Sequence, residues 1–204
     1  WSSDVCSSDL PPLTSPAMDL AKMLAKLELV ESLAGPNFRV WRECRTGLTS
    51  MPAGFDRAKG HLAASTFLQM AVKPDIVHIV GHSEYHHAAT AEDVIEGCHV
   101  VNGAIQLDLQ GLPDMTRDEA VQARKAELVQ EAKLLLEAIA GLAPAGVEDP
   151  LTHAPTLAAA VRTGLLDAPH LVGNPAARGE VAVRFTDGAC RAVDRRSGRV
   201  LTEA

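Results

Sequence analysis

The stretch that most constrains the fold is Asp75-Ile76-Val77-His78-Ile79-Val80-Gly81. Its β-branched residues follow one another with little polar interruption, the pattern of a strand buried on both faces. Pro74 closes the segment before it, and a polar loop from Gly81 to Thr90 follows. A strand of that kind needs helices packed against it, so the flanking segments decide the fold class.

Those segments supply helices. Ala17 to Leu33 carries Leu20, Met23, Leu24, Leu27, Val30 and Leu33 at spacings of three and four, an amphipathic helix stopped by Gly35-Pro36. Phe38 to Cys44 reads as a strand with interleaved polar positions, Thr46 to Gly54 as a loop, and Phe55 to Val72 as a second helix. After the loop, Thr90-Ala91-Glu92-Asp93 resembles a capping box with Asp in the usual Glu position. It opens a helix with an expected inward stripe of Val94, Ile95, Cys98, Val101, Ile105 and Leu109. Thr116-Arg117-Asp118-Glu119 reads as a cleaner capping box, opening a helix to about Ala140. Leu151 to Thr163 is a shorter helix, and Glu180 to Val200 alternates around Asp187-Gly188 and Ser197-Gly198 as a hairpin or three-stranded cap. Gly111-Leu112-Pro113-Asp114 and Gly173-Asn174-Pro175 are turn signals. The order predicts βαβ units, a parallel sheet and an α/β class.

Composition narrows the partners. A hydrophobic fraction of 47% excludes a wholly disordered chain. With 19 basic and 26 acidic residues the net charge is −7 and no basic stripe exists, which argues against nucleic acid. No run approaches the roughly 18 apolar residues of a spanning helix, so no membrane partner is expected. Cys6, Cys44, Cys98 and Cys190 are scattered without ligand spacing, pointing to a reducing, cytoplasmic compartment. Residues 1–10 lack the charge and apolar regions of a signal peptide and match the translation of a sequencing adapter. The expectation is therefore that these ten are artefactual and that the domain is read from Pro11 onward, with sequence missing upstream.

In parallel α/β folds the chemistry gathers at the carboxyl ends of the strands. Two loops qualify, Glu43 to Gly54 and Gly81 to Thr90. Four of the eight histidines lie between His78 and His87. His82, Glu84 and His86 alternate, which suits a metal-ligand set or an acid–base pair, and equally suits solvated loop histidines. Their spacing is not the helical His-Glu-x-x-His. At the first loop, Arg42, Glu43 and Arg45 read either as a carboxylate clamp or as an exposed ion-pair cluster, and Cys44 as a packing residue.

Phe38 to Ile105, followed by Gly164-Leu165-Leu166-Asp167-Ala168-Pro169 and the hairpin tail, resembles the C-terminal portion of the catalytic (epsilon) subunit of cobalamin-dependent methylaspartate mutase (glutamate mutase). The resemblance rests on layout and scattered identities. It implies a C-terminal fragment of a TIM-type (β/α)8 barrel with extra helices and a small C-terminal β cap. Phe38–Cys44 would be strand seven and Asp75–Val80 strand eight. Residues 11–115 would hold the last strand–helix units, and 116–204 the extra helices and cap. A whole barrel of this type takes about 250 residues.

The resemblance also implies an isomerase acting on an amino acid through adenosylcobalamin, held mainly by a separate small subunit or a further domain. The cobalamin-ligating Asp-x-His-x-x-Gly motif does not occur in this chain. Glu84 falls on a ribose-contacting glutamate of the family and alone keeps its residue type. Met51-Pro52 stands at a Phe-Pro pair, Val80 at a lysine and Ala88 at a larger aliphatic residue, all cofactor contacts. Cys44-Arg45-Thr46-Gly47 replaces Phe-His-Gln-Trp. Arg45 and His82 are the expected substrate contacts, no metal of the chain's own is expected, and an oligomer is. Three alternatives stand beside this: an ornithine/lysine-type aminomutase relative, a barrel without catalysis, and a metal-dependent hydrolase or lyase using the His82–His87 cluster.

Overall fold

The computed structural model describes residues 14–202 and the backbone of Ser2 and Ser3. The rest of the adapter-like segment, Cys6 included, lies outside the described residues. The chain is mixed α/β and divides into two compact units, Trp1–Ala126 and Glu127–Ala204. No helix among the described residues is long and apolar enough to cross a membrane.

The first unit runs β1 (Ser2–Ser3), α1 (Pro16–Glu31), β2 (Trp41–Arg45), α2 (Phe55–Met70), β3 (Ile76–His78) and α3 (Ala91–Leu109), then enters α4 (Glu119–Ala140). The strands form one sheet in the order β1-β2-β3, and both pairings are parallel. Glu43 lies beside Ile76, Cys44 beside Val77 and Arg45 beside His78. Ser15 caps α1 by accepting from Met18 N–H, and Pro16 fits the first turn, where a missing N–H costs nothing. The α1 stripe then buries Leu20, Met23 and Leu27 against Cys44, Leu68, Val72 and Val121. Each large side chain so covered contributes about 1.5–3 kcal/mol. Cys44 is wholly buried in this core, which bears out its reading as a packing residue. A buried hydroxyl pair, Thr46 Oγ1 and Ser65 Oγ at 2.5 Å, ties the end of β2 to α2.

Three local expectations are corrected. The run from Asp75 to Gly81 keeps only Ile76–His78 in the ladder, and its burial is one-sided, with Ile76 and His78 exposed. The inward stripe of α3 is Gly97, Val101 and Ala104, while Val94, Ile95 and Leu109 are exposed. At 3.6 residues per turn the buried face is rotated by roughly 85° from the hydrophobic one. A Cβ on Gly97 would meet Ile79 Cγ2 at 3.6 Å, an ordinary van der Waals contact, so the buried face at Gly97 packs on Ile79. Finally, Thr116 is not the cap of α4. Asp118 Oδ1 accepts from Ala120 and Val121 N–H, and the residues before it form a 3₁₀ turn, Met115–Arg117, held by Asp114. A carboxylate that takes two orphan N–H groups outcompetes a hydroxyl that takes one.

The second unit holds the remainder of α4, then α5 (Ala154–Thr163) and a hairpin of β4 (Val181–Thr186) and β5 (Ala189–Asp194). Asp187 and Gly188 both have positive φ, as a two-residue turn matched to strand twist requires. A bridge between Val193 and Val200 adds the start of a third strand. The chain leading into the hairpin is fastened by Asp167, whose carboxylate accepts from the backbone N–H groups of Ala168, Gly179, Glu180 and Val181.

Candidate functional site

The loops following β2 and β3 meet. Gly54 N–H donates to the Tyr85 hydroxyl at 2.8 Å. Phe55, the first residue of α2, stands among the rings of the second loop, with centroids 6.2 Å from His82, 5.9 Å from Tyr85 and from His86, and 6.0 Å from His87. Beneath them Met51, Ala58 and Val80 form a small buried cluster against which Tyr85 packs. The mouth therefore has an apolar floor and an imidazole-rich rim.

Glu84 sits at the exposed turn of the second loop. Its Oε1 accepts from Gly81 N–H at 2.5 Å, closing the turn Gly81-His82-Ser83-Glu84. A Cβ on Gly81 would stand 3.0 Å from that oxygen, so the glycine lets the carboxylate approach. His82 points inward and is only 2% exposed. Its Nε2 lies 3.4 Å from Glu96 Oε2 and 4.0 Å from Asp93 Oδ1, both on α3, and Glu96 pairs in turn with Lys59 of α2 at 2.6 Å. The buried Ser83 hydroxyl helps hold the Asp93 carboxyl low, and His82 Nδ1 is buried without a hydrogen-bond partner among the described residues.

Asp93 anchors the far end of the loop. Its Oδ2 accepts from the N–H and hydroxyl of Thr90, each at 2.9 Å, and stands 3.0 Å from His87 Nε2. The reciprocal Asp93 N–H to Thr90 hydroxyl bond completes the expected capping box. The Thr90 N–H first, then its hydroxyl and His87, hold the Asp93 carboxyl well below the usual carboxylate range. Lys59 likewise holds the carboxyl of Glu96 low, and Glu96 raises Lys59.

The structure thus brings Met51, Val80, His82 and Glu84 into one mouth, with Met51 and Val80 as floor, His82 inside the wall and Glu84 outside it. Ala88 is exposed further along the same loop. Arg45 lies at the end of β2, its side chain exposed and its carbonyl accepting from Gln69 Nε2 at 2.7 Å. Reading the sequence missed Phe55, Tyr85, Lys59, Asp93 and Glu96 as site-builders. Phe55 carried a signal, an aromatic placed where a loop becomes a helix. The Lys59–Glu96–His82 chain joins three segments and carried none.

Among the described residues no group of three or more His, Cys, Asp or Glu side chains is arranged to hold a metal ion. His87 is occupied with Asp93 and with the ring nitrogen of His86 at 3.1 Å instead. The sequence matches no protein-family model and no curated protein.

Proposed function

We propose that this chain forms the closing strand–helix units of a TIM-type barrel in an adenosylcobalamin-dependent carbon-skeleton mutase that acts on an amino acid. The observation that carries the reading is the juxtaposition of two consecutive parallel strands whose following loops converge and present Glu84 at the rim. In barrels of this type the reacting groups assemble at that end. The second unit, with its hairpin, takes the place of the β cap.

The residues fit the cofactor at the rim better than at the floor. Glu84 is exposed and fixed through one oxygen to Gly81, which leaves its other oxygen to accept from a ribose hydroxyl. Ala88 is exposed and small enough to admit a flat group alongside. Met51 and Val80 are buried beneath the loop that carries Glu84 and support it as the floor on the cofactor side. Adenosylcobalamin, when bound, supplies hydrogen abstraction through homolysis of its cobalt–carbon bond. This chain's share is to orient the sugar through Glu84, to exclude water with Phe55 and Tyr85, and to place the substrate near Arg45. His82 acts from within the wall, holding the loop to α3 through Glu96 and Asp93. A cobalamin-binding subunit or domain is the implied partner, in an oligomer in the cytoplasm.

The test is turnover by the complete protein with that partner and adenosylcobalamin, on L-glutamate, L-ornithine and L-lysine. Isomerisation that falls at least tenfold in Glu84→Gln supports the reading. Isomerisation indifferent to Glu84→Gln removes this residue from it, and no isomerisation of any of the three removes the mutase.

A further inference from the structure

The loop from Gly81 to Thr90 carries a chain of polar contacts that ends at the rim of the mouth. Asp93 Oδ2 accepts the Thr90 N–H at 2.9 Å and lies 3.0 Å from His87 Nε2. His87 Nδ1 in turn lies 3.1 Å from His86 Nδ1. Both rings are exposed, and His86 Nε2 has no partner among the described residues.

The direction of every bond in this chain follows from its first link. A backbone N–H only donates, so Asp93 Oδ2 is an acceptor, and it accepts from His87 as well. That puts the proton of a neutral His87 on Nε2 and leaves its Nδ1 as an acceptor. His86 Nδ1 must then be the donor, so a neutral His86 carries its free lone pair on Nε2. The tautomer of an exposed ring is thus set three contacts away, at a backbone amide. A proton arriving at His86 Nε2 makes an imidazolium that donates to His87, and His87 donates to the Asp93 carboxylate. A carboxylate behind an imidazole steadies the charge that the ring acquires.

The surroundings define what can approach. The Phe55 and Tyr85 rings have centroids 5.9 Å and 6.0 Å from that of His86, an apolar wall for a flat body. The charged groups of the mouth are Glu84 in the loop, Asp93 and Glu96 on α3, and Lys59 on α2, with His82 facing the other oxygen of Asp93 at 4.0 Å. Three carboxylates against one ammonium disfavour an anion.

We propose that His86 Nε2 is a catalytic base that abstracts a proton from uncharged, flat compounds, with His87 and Asp93 as its positioning residues. In the step a substrate C–H bond breaks, its proton passes to Nε2, and the electron pair moves through the substrate to a leaving oxygen. The site uses neither cobalamin nor a second subunit, so it stands or falls separately from the mutase reading.

The test uses the full chain and 5-nitro-1,2-benzisoxazole, flat and uncharged, which loses its C–H proton as its N–O bond opens to a coloured cyanophenolate. Opening should be roughly tenfold or more faster than with an equal concentration of imidazole, and His86→Gln should remove most of that excess. Nitrogen-15 spectra of the histidines at about pH 9, with the imidazoles neutral, should show His86 protonated at Nδ1 and bare at Nε2. His87→Phe should mix the two tautomers of His86 and slow the opening at least threefold. His87→Gln, able to accept from His86 and donate to Asp93, should restore both. Opening no faster than with imidazole, opening indifferent to His86→Gln, or His86 protonated at Nε2 in the unaltered chain each overturns the proposal. A His86 tautomer unmoved by His87→Phe removes His87 and Asp93 from it.

Discussion

The Tyr85 hydroxyl accepts a hydrogen bond from Gly54 N–H at 2.8 Å, joining the loop after β2 to the loop after β3 across 31 residues of chain. This bond latches the two halves of the mouth. Tyr85→Phe keeps the ring against Met51 and Val80 and removes only the acceptor. A loss of about 0.5–1.5 kcal/mol is expected, read from the midpoint of urea unfolding at constant slope. An unchanged midpoint means the loops are not held together by this contact.

Gly81 is expected to tolerate no side chain without cost at Glu84. In Gly81→Ala the new Cβ crowds Glu84 Oε1, 3.0 Å away, and forces the carboxylate off the Gly81 N–H. Amide hydrogen exchange at residues 81–87 should quicken in the variant while exchange in α1 stays the same. Equal protection in both regions would show that the turn does not depend on the glycine.

The capping box of α3 gives a sharper number. Thr90→Ala removes the hydroxyl that caps Asp93 N–H and releases the Asp93 carboxylate from one of its donors. The expected destabilisation is about 1 kcal/mol, and Thr90→Ser should recover most of it. Failure of serine to recover stability would assign the effect to the threonine methyl group instead.

Asp167 sets an acid limit on the second unit. Burial works to raise its pKa, but the N–H groups of Glu180, Ala168, Gly179 and Val181 together lower it. A carboxyl depressed by folding contributes stability that is complete above the unfolded value, about 3.9, and is lost as pH falls through the folded value. Asp93 behaves in the same sense. Stability should therefore be level above about pH 5 and decline below about pH 4. Asp167→Asn should cost about 1–3 kcal/mol at neutral pH and flatten the acid decline, because its amide nitrogen faces N–H donors. An acid profile unaltered in Asp167→Asn would contradict the role given to its carboxylate.

Local chemistry in this chain was legible; placement was not. The α1 stripe, the Thr90 box and the Asp187-Gly188 turn depend on residues within a few positions of one another, and each forms as read except that Leu33 lies past the end of α1 and is exposed. The face that α3 buries is set by what it packs on, Ile79 at Gly97 among them, which periodicity does not encode, so Gly97 and Ala104 are buried where Val94 and Ile95 are not. The same holds at the site. His82 and Glu84 were found as reactive types in one loop, but that one faces in and the other out is decided by Glu96 and Asp93 on α3 and by Lys59 on α2.

The most direct test of the central claim is adenosylcobalamin binding by the complete protein with the cobalamin-binding partner proposed for it, measured by sedimentation with absorbance of the corrin. The account predicts co-sedimentation of corrin with this chain only when the partner is present, weakened roughly tenfold by Glu84→Gln, the loss of one charge-assisted hydrogen bond. No corrin-dependent complex, or one indifferent to Glu84→Gln, would contradict it.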